Sequence, residues 1–221
     1  MDSSKFYEFF QPELLEGERV HIIGCGAVGS TIAELLARFG ITDFVLYDFD
    51  VVESHNIANQ MFRNVDIGKK KTKALTEILT EINPDITVAT FDEYTDQLLD
   101  GYVFLAVDSI DLRNKIVKGS MDNLFIKAMF DVRIRLTDSQ AFAARWNSYD
   151  EKRNLVASMN FTDEEANAQN ELSACNMVLS VAPTVRLICG YTVTNFINLL
   201  LGKEFKKMIL VEAFNFNVDA F

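Results

Sequence analysis

The sequence predicts an α/β protein of the Rossmann-like, doubly wound kind: a mostly parallel sheet with an antiparallel C-terminal extension. Three observations predict it. Short apolar runs alternate with stretches of helical spacing from residue 19 to residue 130. A Gly-x-Gly-x-x-Gly spacing at Gly24, Gly26 and Gly29 falls where the first apolar run passes into the first helical stretch. Beyond Asp131 the alternation gives way to a strand pattern of the antiparallel type.

The elements follow in order. Residues 19–23 and 42–47 are strand-length apolar runs, and between them Ala27 to Phe39 sets Val28, Ile32, Leu35 and Leu36 at helical spacing. A Lys-rich helix is predicted over 68–82, stopped by Asn83-Pro84 because the residue before proline avoids helical backbone. Strands are expected at 86–90 and 102–107, a helix at 112–121, and a strand at 124–130. Short links between such alternating elements imply a parallel sheet. Residues 139–146 read as an antiparallel strand, the polar stretch 150–174 as a surface crossing or mobile lid, 177–201 as a long apolar helix, and 208–214 as a final strand. Tyr191, Thr194, Asn195 and Asn198 interrupt the most apolar part of that helix, so it reads as buried core or a dimer surface, not a membrane span. One domain, 1–221, is expected, with a core over 18–130 and an extension over 131–221.

Composition narrows the function classes. With 221 residues, 49% hydrophobic and 24% charged, the chain has the profile of an ordinary globular protein. A net charge of −11 opposes nucleic-acid binding, which needs clustered Lys and Arg. The N-terminus lacks an export signal, and the three scattered cysteines, Cys25, Cys175 and Cys189, suit a reducing cytoplasm. Zinc is not expected, because the chain has two histidines and no Cys-x-x-Cys pair.

In a strand-turn-helix setting the glycines acquire separate tasks. Gly24 permits a tight turn, Gly26 removes a side chain where a phosphate or ribose approaches, and Gly29 lets the helix pack on the strand. Asp48 stands 24 residues beyond Gly24, close to the offset of about 20 expected for a carboxylate that holds ribose hydroxyls. Thus far an NAD-dependent oxidoreductase remains open.

The residues after Asp48 separate the alternatives. Asp48-Phe-Asp50 leads to Asn56 and Gln60, then to Gly68 and Lys71, and later to Asp108 with Arg113 five residues on. This ordered set resembles the ubiquitin-activating-enzyme-like adenylyltransferases, which include the ThiF and MoeB proteins that activate small sulfur carriers. The resemblance covers about residues 18–130 and implies an ATP- and Mg²⁺-dependent enzyme. Its activity would adenylate the C-terminal carboxylate of a ubiquitin-like protein or peptide, releasing pyrophosphate. A homodimer is expected, and the charge, cysteine usage and helix composition above add the expectation of a cytoplasmic protein that binds neither nucleic acid nor membrane. Gly24, Gly26, Gly29, Asp48, Asp50, Asn56, Gln60 and Lys71 would bind nucleotide, with Lys71 meeting the phosphates. Asp108 would hold Mg²⁺, and Arg113 would neutralise a phosphate or the incoming carboxylate, or brace Asp108. For Arg113 a surface ion pair with Asp108 or Asp111 stands as the alternative, and Lys69, Lys70 and Lys73 read as a solvated helix face.

Two departures bear on activity. Where the family has an arginine in Asn-x-x-Arg-Gln, this chain has Asn59; Arg63, four residues on, would replace it if 59–63 were helical. Residues 146–174 hold no cysteine for a thioester step, and Cys175 reads as a buried helix-start residue more than as a nucleophile. A non-catalytic nucleotide-binding scaffold of the same family is therefore the alternative to the enzyme.

Overall fold

The computed structural model describes residues 1–168, 170–174 and 178–221. An eight-stranded sheet runs in the order β3-β2-β1-β4-β5-β6-β7-β8 among these residues. Its strands are β1 (Val20–Ile23), β2 (Asp43–Tyr47), β3 (Thr87–Phe91), β4 (Gly101–Leu105), β5 (Ile126–Ile134), β6 (Asp138–Arg145), β7 (Met208–Glu212) and β8 (Asn217–Ala220). The first five are parallel, and β5 to β8 are joined antiparallel. The doubly wound sheet with an antiparallel C-terminal part is therefore as expected.

Helices cover both faces, which is why β1 and β4 are buried throughout. On one side lie α1 (Ala27–Arg38), α2 (Lys71–Ile82) and α6 (Ala182–Leu200), packed on Val20, Ile22, Tyr102 and Phe104. On the other lie α3 (Ile110–Gly119) and α4 (Tyr149–Ala157), packed on Ile23, Val103 and Leu105. Phe104, Phe130 and Phe196 meet at the centre of the first layer, their ring centroids 4.7 to 5.8 Å apart. Each such buried ring contributes roughly 1.5–3 kcal/mol.

Four expectations change. The polar stretch 150–174 is not a bare crossing: it holds α4 and α5 (Asp163–Asn167), capped by Ser148 and Thr162. Two of its polar residues are buried with partners, Glu151 with Arg145 and Lys152 with the Met121 carbonyl, so apolar spacing could not reveal α4. Helix α6 begins at Ala182, with Pro183 in its first turn, where a missing N–H costs nothing. Strand β5 continues through Asp131 to Ile134, and the final strand ends at Glu212 in a hairpin that adds β8. No described helix is long and apolar enough to cross a membrane.

Candidate functional site

The glycine turn links β1 to α1 at the C-terminal edge of the parallel strands. Gly24 has φ +94, and a Cβ there would stand 2.7 Å from the Ala106 carbonyl beyond β4. At Gly29 a Cβ would lie 1.8 Å from the Gly24 oxygen, so only glycine lets α1 come this close to the turn. Gly26 is different: it caps α1, and a Cβ there would meet nothing within 4 Å. The open space lies over the first turn of a 12-residue helix, whose unpaired N–H groups attract anions.

Asp48, just past β2, accepts the Cys25 N–H at 2.7 Å and the Asp50 N–H at 2.8 Å, tying the ends of β1 and β2 together. Burial raises its carboxyl above the usual range, against the lowering effects of Lys71 and those N–H bonds. Burial also pushes the Cys25 thiol well up, which keeps it protonated and unreactive. Lys71 opens α2; its backbone N–H reaches the Asp50 carbonyl at 2.9 Å and its Nζ the Asp50 Oδ2 at 2.6 Å. Asn56 accepts the Glu53 N–H at 2.8 Å through Oδ1, leaving the donor end of its amide for a ligand. Gln60 carries a buried Oε1 with no partner. Asp108, three residues past the end of β4, is exposed, with no hydrogen bond or ion pair to any described residue.

These side chains share one cavity of about 830 Å³, lined by Gly26, Asp50, Asn56, Gln60, Lys71 and Asp108. It lies at the C-terminal ends of the parallel strands, where open α/β sheets bind their ligands. Asp48 is not among the lining residues. From this end the cavity runs across β5, β6 and β7, where Arg133, Arg135, Ser139 and Val211 line it, and under Leu179 and Ser180. Sequence spacing did not single out this second half. Its only local signal was the Arg133-x-Arg135 alternation at a strand end. Among the described residues no three His, Cys, Asp or Glu side chains cluster to hold a metal. One unpaired carboxylate, Asp108, fits a Mg²⁺ whose other ligands come from phosphate and water.

Two predicted residues are committed elsewhere. Residues 59–63 are not helical, and Arg63 stands outside the cavity, pairing with Asp66 at 2.9 Å and Glu81 at 2.5 Å. It therefore does not replace the missing arginine. Asn59 instead donates to the Ser180 hydroxyl. Arg113 touches the cavity, yet it is 4% exposed and its guanidinium bonds Asp131 and the carbonyls of Leu105, Val107 and Val132. It closes the ends of β4 and β5 and pairs with neither Asp108 nor Asp111, both of its terminal nitrogens being held by Asp131 and the three carbonyls while Nε has no partner. Lys69 and Lys70 pair with Asp66, Glu77 and Asp92 on the surface side. Cys189 is buried on α6, and Cys175 lies outside the described residues.

The ThiF family model matches residues 4–221. Ubiquitin-like modifier-activating enzyme 5 of Arabidopsis thaliana is 46% identical over 72 residues, 33% of this chain and 17% of that protein. The chain thus spans a small part of the length of this curated relative. The crystal structure of E. coli MccB with ATP superposes at a TM-score of 0.76 and 17% identity, covering 95% of this chain and 65% of MccB. MccB with AMPCPP and MccA gives 0.76 at 18% identity, over the same shares. At these identities the structures show the fold. With the glycine turn, the Asp48 and Lys71 positions and a family match over nearly its whole length, the chain belongs to the ThiF family.

Proposed function

We propose that the chain is an ATP-dependent adenylyltransferase acting on the C-terminal carboxylate of a ubiquitin-like or sulfur-carrier protein, or of a peptide. The observation that carries this reading is the convergence of Asn56, Lys71 and Asp108 on the cavity beside Gly26. ATP would lie with its adenosine toward Asp48 and its phosphates at the α1 N-terminus. Lys71 would exchange its bond to Asp50 for the phosphates, and the Asn56 amide would donate to a phosphate oxygen. Gln60 and Asp50 would complete the nucleotide shell. A Mg²⁺ held by Asp108 would supply charge neutralisation at the phosphates.

A carboxylate oxygen of the acceptor attacks the α-phosphorus, the bond from that phosphorus to the bridging oxygen breaks, and pyrophosphate leaves with the bonding pair. The product is the acyl-adenylate. Fixed donors that meet the charge building on the phosphate oxygens provide the rate gain. Among the described residues no thiol is open to a further step, since Cys25 and Cys189 are buried. The exposed Leu187 and Tyr191 of α6 support a homodimer face, and a cytoplasmic setting accords with free cysteines.

A second reading, a nucleotide-binding scaffold, is favoured by one observation: Asn59 binds Ser180 where the family has a cation, and Arg63 does not fill the gap. Mass spectrometry of carrier proteins after incubation with the chain, ATP and Mg²⁺ separates the two. A carrier that gains one AMP at its C-terminus supports the enzyme; nucleotide binding with no carrier ever modified supports the scaffold.

A further inference from the structure

Among the described residues three buried side-chain polar atoms lack a partner: Gln60 Oε1, Arg113 Nε and Ser139 Oγ. All three residues line the same cavity. Gln60 and Arg113 flank the nucleotide end, but Ser139 stands in the other half, on β6, and is 6% exposed. Its register partners are Ile134 on β5 and Val211 on β7, so one hydroxyl stands between two branched aliphatic side chains on a single face of the sheet. Neither neighbour can accept or donate. Val178 and Leu179 also line this half of the cavity.

A buried hydroxyl without a partner costs stability, and alanine of nearly the same shape would remove that cost. Its presence between Ile134 and Val211 is explained by a ligand that completes it. Resting on the reading above, we propose that Ser139 is a specificity-determining contact for the acceptor tail. Its Oγ would hydrogen-bond a main-chain amide of an extended polypeptide whose C-terminal carboxylate faces the nucleotide. The row Ile134-Ser139-Val211 favours an uncharged group directly over it, while Arg133, Arg135, Asp138 and Glu212 line the cavity around the row. A site with one placed hydroxyl discriminates more sharply than apolar contact alone, because a mismatched ligand leaves that hydroxyl unpaired.

The test uses fluorescently labelled peptides, the last ten residues of a panel of ubiquitin-like proteins with free carboxylates, titrated against the full chain with AMPCPP and Mg²⁺. Wild type is expected to bind at least one. Ser139→Ala should weaken that binding roughly tenfold, Ser139→Thr should retain it, and AMPCPP affinity should be equal in all three. The melting temperature of Ser139→Ala without peptide should match or exceed that of wild type. Peptide affinity unchanged by Ser139→Ala, a lowered melting temperature in that variant, or no peptide bound by wild type would each overturn the inference. Peptide binding without transfer of AMP to any carrier would leave this inference standing and remove the enzyme reading.

Discussion

Lys71 Nζ sits 2.6 Å from Asp50 Oδ2, an ion pair between the start of α2 and the loop after β2, with the lysine side chain 9% exposed and the carboxylate half-exposed. The pair holds a cation at the cavity wall before any ligand arrives. Lys71→Ala is therefore expected to lower adenylation about 100-fold or more, the scale of losing one preorganised donor to transition-state charge. Asp50→Asn should cost less, because Lys71 stays and loses only its orientation. Steady-state rates with ATP and a competent carrier check both.

The glycine turn separates folding from binding. Gly26→Ala is expected to leave stability within about 0.5 kcal/mol, since the added methyl meets nothing, while weakening nucleotide binding about tenfold or more by occupying the space over α1. Gly29→Ala should destabilise by about 3 kcal/mol or more, because its methyl lands on the Gly24 carbonyl. Urea unfolding paired with nucleotide titration distinguishes the two glycines.

Arg113 is expected to act on stability. Arg113→Met leaves the fully buried Asp131 with Arg133 alone and should cost about 3 kcal/mol or more in urea unfolding. Arg113→Lys should recover little, since a single ammonium cannot serve a carboxylate and three carbonyls together. Unchanged stability with lost ATP affinity would instead give Arg113 a direct ligand role.

Asp66 sets an acid limb on stability. Burial alone would raise its carboxyl, but Arg63 and Lys69 outweigh burial and hold it at about 2. The folded value lies below the unfolded value of about 3.9. The contribution is thus fully present above that unfolded value and disappears as the pH falls through 2. Because Arg63 is 41% exposed, about 1–2 kcal/mol is expected. Asp66→Asn should lose that much at pH 6 and show a flatter unfolding profile between pH 4 and pH 2.5.

What was legible in the sequence follows from which forces leave a periodic trace. The units β1-α1-β2 and α2 carry apolar spacing, a stop at Asn83-Pro84 and a glycine turn, and these elements appear as expected. Helix α4 left no such trace because it buries Glu151 and Lys152 through polar partners on other elements, Arg145 on β6 and the Met121 carbonyl 31 residues away. Arg113 was misjudged for the same reason: its partner Asp131 is 18 residues away on β5, beyond the reach of local spacing. Arg63 depended on a helix that the extended backbone at 63 does not form. An ordered motif set, and not periodicity, picked out Lys71 and Asp108, and the structure brings both to one cavity.

Pyrophosphate exchange into ATP, measured with purified chain and a panel of ubiquitin-like carriers, tests the central claim most directly. The account predicts carrier-dependent exchange in wild type that is lost in both Lys71→Ala and Asp108→Ala while the variants keep their fold. Wild type that binds ATP yet never exchanges with any carrier, or exchange that survives both substitutions, would contradict it.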